Sequence, residues 1–363
     1  MKVKLTEICT PKQWKTIPTN ELLGEGYPVY GANGIIGYYN EYNHENSVVT
    51  ITCRGATCGT INITEPKSYI TGNAMCLDNL QSGILLEYLY YCLLHYDFRN
   101  VISGSAQPQI TRQGLEKVEI EISSIEEQKK RITTLNKINV VIAARQQQLQ
   151  KLEDLVKARF VELFGAYPRN PMGWKTGTIR DVVTDVRYGS SRPAVDGGKY
   201  PYLRMNNITY GGELDLSDVK RIDVPENELE KCTVRRGDVL FNRTNSKELV
   251  GKTCVYDRDE MMVLAGFVIR VRVNDVVLPE FLSAFLNTDF SKRTLLGMCK
   301  AAIGQANINA QEMQNIGIYI PPIELQREFV QFKNQTDKSK AIIQKALNKV
   351  QLLFDSLMQN YFG

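Results

Sequence analysis

The chain has 363 residues, more than one hydrophobic core ordinarily organises and enough for two or three domains. It is 43% apolar and 23% charged with a net charge of +4, the balance of a soluble globular protein and no mark of a particular partner. The longest apolar run, "GILLEYLYYCLLHY" at 83–96, is too short to cross a bilayer and carries Glu87, which excludes a membrane span there.

In chain order, the opening "MKVKLTEICT" has no long apolar stretch behind its lysines, so a signal peptide is not expected and the protein reads as cytoplasmic. The segments 27–40 and 47–63 are rich in β-branched residues and punctuated by glycine, the pattern of strands and turns. The run 83–98 predicts a buried helix. Its counterpart further on is "LPEFLSAFLNTDFSKRTL" at 278–295. Eight cysteines are scattered, none in a CxxC pair, and only His44 and His95 could join them as imidazole ligands. Reduced thiols and no metal site are the expectation.

From Glu126 to Phe164 there is no Gly or Pro. Positions recur in alternating steps of three and four, with Arg145 between Ile142 and Leu149, and their apolar members include Ile138, Ile142, Leu149, Leu152 and Val156, a coiled-coil-like stripe. Ser124 offers an N-cap with Glu127 three residues on. A second run repeats the pattern with Ile343, Leu347, Val350, Phe354 and Leu357, and opens with Pro322 and Glu324 in a compatible first turn. These ten residues are expected to pack the two helices against each other.

The two runs are copies. "ISSIEEQKKR" at 122–131 answers "IPPIELQREF" at 320–329, and at an offset of 198 no gap is needed from Gln107/Gln305 to Gly165/Gly363. The first copy is 1–165 and the second 166–363, joined through "AYPRNPMG". The second is longer by 33 residues, and the extra length lies in its front. Further strand-and-turn text occupies 174–183, 200–214, 237–246 and 267–273. The fold class is therefore α+β: two mixed fronts, two long antiparallel helices, and a pseudo-two-fold internal repeat.

Catalytic signatures are missing. There is no GxxxxGK[ST] loop for ATP, no GxSxG and no HExxH, and two histidines leave little for acid–base chemistry. The polar turn residues instead suit nucleic acid. Arg pairs two-pronged with guanine, Asn and Gln with adenine, while Lys, Ser and Thr hold phosphates. The candidates in the first front are Tyr30, Asn33, Arg54, Thr57, Lys67, Gln107 and Gln109. Those in the second are Arg204, Asn206, Asn207, Arg243, Thr244, Asn245, Ser246, Lys247, Gln305 and Asn307. Such residues beside glycine also serve ordinary turns. Charge adds little: residues 1–111 hold seven Lys/Arg against nine Asp/Glu, and 174–309 hold twenty against eighteen.

The segments "YPVYGANGIIGYYNEY", "TCRGATCGTINITEPKSYITGNAMCL", "GDVLFNRTNSKELVGKT" and "GQANINAQEMQNIGIYIPPIELQREF", with the echo "SAQPQITRQGLEKVEIEISSIEEQKKR", resemble the DNA-specificity subunit of type I restriction–modification systems over essentially the whole chain. The resemblance implies target-recognition domains at 1–124 and 166–322 and spacer helices at 125–165 and 323–363. Each domain would read half of a split double-stranded DNA target. The helices would dock two methyltransferase subunits, to which motor–nuclease subunits are added. It implies no catalysis and no cofactor on this chain, with S-adenosylmethionine, ATP and magnesium carried by the partner subunits. Two other classes fit the residues alone: a coiled-coil adaptor that never reads DNA, and a nuclease with duplicated DNA-binding domains.

Overall fold

The computed structural model describes the chain apart from residues 33, 105–106, 247–248 and 300–305. Five helices of eight residues or more occur among the described residues: α1 (Leu86–His95), α2 (Ile125–Phe164), α3 (Pro279–Leu286), α4 (Asp289–Met298) and α5 (Ile323–Phe362). The chain divides into two compact units. One comprises Met1–Gln146 with Gln344–Gly363, and the other Gln147–Ile343. Each long helix thus contributes to both.

The first unit is built on a four-stranded sheet in the order Thr10–Lys12, Ala74–Asp78, Val49–Thr52 and Ile61–Ile63, beside a three-stranded sheet of Gly34–Tyr39, Tyr27–Gly31 and Tyr69–Ile70. The strand Val49–Thr52 is buried on both faces, which is why it reads as an unbroken β-branched run. Helix α1 covers the sheet through Tyr88, Leu89, Cys92 and Leu93. At the base of the front, Lys2–Lys4 pairs antiparallel with Glu119–Glu121.

The second unit repeats this plan with larger sheets. One has the order Val183–Tyr188, Val268–Val273, Val239–Asn242, Thr253–Val255. The other runs Lys220–Ile222, Tyr200–Leu203, Met262–Leu264, Thr233–Val234. Its base is Lys175–Thr178 against Gly317–Ile320, the counterpart of the pairing in the first unit, with Gly317–Ile320 at the offset of 198 from Glu119–Glu121. The helix expected over 278–295 is two helices. Asn287 ends α3, and the Thr288 side chain accepts a hydrogen bond from Ser291 N, capping a new start.

Both long helices begin as their caps predict. Ser124 Oγ accepts from Glu127 N at 3.3 Å, and Gln326 N donates to Pro322 O at 3.2 Å. Within each unit they run antiparallel. In the first, Arg131 near the start of α2 donates to Tyr361 O near the end of α5 at 2.6 Å, and its guanidinium lies over the Tyr361 ring. In the second, Phe160 and Phe164 at the end of α2 meet Phe329 in the first turns of α5.

Ile138, Ile142, Leu149, Leu152, Val156, Ile343, Leu347, Val350, Phe354 and Leu357 are all half-buried. The deepest apolar burial on these helices falls instead on Ile132, Leu135, Phe160, Phe164, Phe329 and Met358, where the fronts add a further layer of cover.

The repeat's invariant glutamines explain how each helix is joined to its front. Gln128 is fully buried. Its Oε1 accepts from Leu85 N at 2.9 Å, and its Nε2 donates to Gly83 O at 3.0 Å and Ser123 O at 2.9 Å. Gln326, 198 positions later, is also fully buried. It accepts from Leu278 N at 2.8 Å and donates to Val276 O at 3.0 Å and Pro321 O at 2.9 Å. Leu85 and Leu278 are the N-cap residues of α1 and α3, whose own side chains cannot cap. A single amide therefore fastens the front helix to the long helix in each copy.

The eight cysteines are free thiols. Burial pushes Cys9 and Cys92 up from 9.0 to about 12. Both stay protonated in the folded chain at a pH where the unfolded chain has lost the protons. Their contribution is thus complete below pH 9 and declines as pH rises towards 12. At one unit above the free-thiol value each costs about 1.4 kcal/mol of stability. Urea unfolding of the first unit, followed through Trp14, should show this loss between pH 8 and pH 10. A Cys9→Ala, Cys92→Ala variant should lose less over the same interval.

Candidate nucleic-acid interface

In each unit two polar segments that are far apart in sequence are hydrogen-bonded into one surface. In the first, the turn after Val49–Thr52 meets the strand Gln109–Ile110. Ile110 N donates to Cys53 O at 3.0 Å, Gly55 N donates to Pro108 O at 3.0 Å, and Arg54 bridges Gln109. Gly55, at a φ of +89°, allows the chain to turn straight after Arg54. In the second unit the same join recurs, its later segment at the offset of 198 from Ile110 to Ile308. Ile308 N donates to Arg243 O at 2.9 Å, and Thr244–Asn245 pairs with Ala306–Asn307.

The first join opens into a cleft of about 310 Å³ lined by Ala32, Arg54, Gly55, Asn73, Gln107 and Gln109. Arg54, Gln107 and Gln109 are exposed. Ala32 belongs to the hairpin between Tyr27–Gly31 and Gly34–Tyr39, on which Ile35 and Ile36 are also exposed. The cleft thus offers a guanidinium, three carboxamides and nearby apolar surface, the group types that read base edges.

The other candidates of the first front lie elsewhere. Tyr30 is turned inward: it is buried, and its hydroxyl accepts from Glu65 N at 3.1 Å, because the strand that carries it packs against Ile70 and Cys76. Thr57 is exposed, and its carbonyl accepts from Thr60 N to close the Arg54 turn. Lys67 is exposed on a separate turn, 3.9 Å from Glu45.

In the second unit the Arg243 guanidinium stacks 4.9 Å from the Tyr188 ring centroid, and its Nε is buried without a hydrogen-bond partner. Thr244 is nearly buried and donates to Asn307 Oδ1 at 3.0 Å, while Asn307 itself is exposed. Asn245 Oδ1 accepts from Ser246 N at 2.9 Å, and Ser246 O accepts from Leu249 N and Val250 N, so both shape the loop.

Arg204 donates to the Asp218 carboxylate at 2.8 Å, and Asn206 is exposed. Asn207 is buried. It accepts from Arg204 N at 2.8 Å and donates to Asp215 O at 2.8 Å, a local cap that leaves its amide facing the protein. Asn33, Lys247 and Gln305 lie outside the described residues.

Sequence reasoning missed several neighbours. Asn73 sits in the cleft from the Gly72–Asn73 turn that leads into Ala74–Asp78, and only the fold brings that turn to the join. Tyr188 joins Arg243 only through the sheet. Lys252 and Lys292 are tucked behind the loop. Lys252 Nζ donates to Met205 O at 3.0 Å and Lys292 Nζ to Gly251 O at 2.7 Å. Burial lowers both. For Lys292, burial and then the adjacent Lys252 charge bring it down to about 8.

Two mixed fronts with matching polar joins, each fastened to a pair of long antiparallel helices, define a duplicated architecture. The chain belongs to the family described as the type I restriction modification DNA specificity domain, whose pattern matches residues 1–154 and 171–352. It is similar to the type I restriction enzyme EcoKI specificity subunit of Escherichia coli K12, at 26% identity over 52% of this chain and 41% of that one. It is also similar to the putative type I restriction enzyme MjaX specificity subunit of Methanocaldococcus jannaschii, at 22% identity over 59% and 50%. The chain thus spans about half the length of these curated relatives, or less. The crystal structure of the type I restriction–modification S subunit from M. genitalium shares the fold, with a TM-score of 0.58 at 15% identity, covering 100% of this chain and 96% of that one.

Proposed function

We propose that this chain is the sequence-reading subunit of a type I restriction–modification complex. Each front domain, 1–124 and 166–322, recognises one half of a split DNA target. The observation that carries this is the repeated join, Arg54 with Gln109 in one unit and Thr244 with Asn307 in the other. In each case cross-strand backbone hydrogen bonds hold base-reading side chains at a strand end. Arg54, Gln107 and Gln109 act in the first front; Arg243, Asn307 and the exposed Asn206 act in the second. Phosphate contacts from Lys67 and Thr57 position the duplex.

The helices 125–165 and 323–363 act as spacer and as docking surface for two methyltransferase subunits. Exposed Val140, Val141, Leu352 and Leu353 in the first unit, and Leu155, Val161 and Ile342 in the second, are apolar positions unusual on a solvated helix. The chain itself is non-catalytic. S-adenosylmethionine, ATP and magnesium reside on its methyltransferase and motor–nuclease partners, and the complex works in the cytoplasm. No helix among the described residues is long and apolar enough to cross a membrane.

Selection of bound duplexes from a random-sequence library by the assembled methyltransferase complex tests this reading. Two short conserved blocks separated by a fixed run of unconstrained bases are expected. A single continuous block, or no enrichment, would contradict it.

A further inference from the structure

Three side chains of the first unit meet away from the candidate interface. His44 follows a turn held by Asn43, while Cys76 and Asp78 alternate on the strand Ala74–Asp78 and so face the same side of the sheet. Their ligand atoms, a ring nitrogen of His44, Cys76 Sγ and a carboxylate oxygen of Asp78, all lie within 4.8 Å of one another. His44 and Cys76 are buried and Asp78 is half-buried.

The imidazole is oriented from behind. Ile70 N donates to Asn43 Oδ1 at 2.9 Å, and Asn43 Nδ2 donates to Ile70 O at 3.0 Å. These two backbone bonds fix which end of the amide is oxygen. That oxygen stands 2.7 Å from His44 Nδ1, so Nδ1 carries the hydrogen and donates it. Nε2 then faces Asp78 Oδ1 at 2.9 Å. In the neutral ring this sets a lone pair against a carboxylate, and a positive centre must sit between or beside them.

A proton would satisfy the His–Asp pair alone and has no use for a third donor. Thiolate, imidazole and carboxylate converging together form the donor set of zinc. The bond from Nδ1–H to a fixed carbonyl oxygen is the outer support that metal-bound histidines carry.

We propose that His44 Nε2, Cys76 Sγ and the Asp78 carboxylate hold a zinc ion, with a fourth position open to solvent past Asp78. In a tetrahedral site the donors stand about 3.3–3.7 Å apart, so His44 and Asp78 separate slightly and the sulfur closes in. On binding, a sulfur–zinc bond forms and the thiol proton leaves to solvent. The nitrogen and carboxylate donate lone pairs, and nothing is oxidised or reduced.

The ion brings two positive charges and the thiol proton leaves, so the site passes from a net charge of about −1 to neutral, and the Lys12 ammonium, opposite Cys76 in the strand register and 3.5 Å from the Trp14 ring centroid, loses an attractive charge but meets no net positive one. The site ties the Asn43 turn to the central sheet. It reverses the expectation of a simple thiol at Cys76, which cysteine spacing could not correct because the sheet brings the ligands together.

Metal analysis of the full chain after expression in zinc-containing medium and exhaustive dialysis tests the site, with cobalt(II) as a spectroscopic probe. About one zinc per chain is expected, with a thiolate-to-cobalt charge-transfer band in the substituted protein. Both should be lost in Cys76→Ala and His44→Gln variants that keep the wild-type far-ultraviolet circular dichroism. Wild-type protein without bound zinc, zinc retained by folded Cys76→Ala, or cobalt bound without the thiolate band would each overturn the proposal. Should both variants unfold, the wild-type zinc content and cobalt spectrum decide alone.

Discussion

Replacing Gln326 with leucine is expected to destabilise the second unit by about 3–5 kcal/mol, far more than the loss of an ordinary hydrogen bond. The side chain is fully buried and serves three backbone groups at once: Leu278 N, Val276 O and Pro321 O. Leucine fills similar volume but strands all three in a place water reaches poorly, and each stranded group costs about 1–3 kcal/mol. Because Leu278 is the N-cap residue of α3, the loss also frays that helix where it joins α5. Gln128→Leu should do the same to the first unit through Leu85 N, Gly83 O and Ser123 O.

The two tryptophans, Trp14 and Trp174, fall one in each unit, so fluorescence-detected urea unfolding of single Trp→Phe backgrounds can separate the effects. Loss confined to the unit that carries the substitution is expected. A change below about 1 kcal/mol would mean the glutamines are incidental.

The second large effect concerns the long helices. Inserting four residues into both, after Gln148 in α2 and after Ile343 in α5, is expected to lower affinity for the original split target by about 10²–10⁴-fold. If the helices set the reach between the readers, the second half-site is engaged intramolecularly, and the gain disappears when the geometry no longer fits. Four residues add about 6 Å and about 40° of rotation to each helix. The inserted chain should therefore select a target whose gap is longer by roughly two base pairs, at about 3.4 Å of rise each. Duplex selection with the assembled complex measures both outcomes. An unchanged gap would mean the helices do not set the spacing.

Much of this architecture could be read before any coordinates. The repeat registers without gaps over its tail because a long helix accepts no insertion without turning its buried stripe outward. The helix limits, 125–164 and 323–362, lie within a residue of those the caps and the absence of Gly and Pro imply. The identity of Gln128 and Gln326 was visible as a match, but its reason was not, since nothing local marks a glutamine whose partners lie some 45 residues upstream.

The fronts were legible as strand-and-turn text but not as sheets. The parallel pairing of Tyr27–Gly31 with Tyr69–Ile70 and of Tyr200–Leu203 with Met262–Leu264 depends on contacts across 40 to 60 residues. The candidate residues illustrate the same limit. Arg54 and Gln109 could be named singly, but only the fold shows them sharing a cleft, and only the fold turns Tyr30 and Asn207 inward.

The account rests on two readers, each confined to its own half of the target. Methylome sequencing of cells that co-express the methyltransferase subunits with an Arg54→Ala, Gln109→Ala chain tests it most directly. We expect the modified motif to relax in one half, with the other half and the gap unchanged. Simultaneous change in both halves, or a motif identical to that of the unaltered chain, would contradict it.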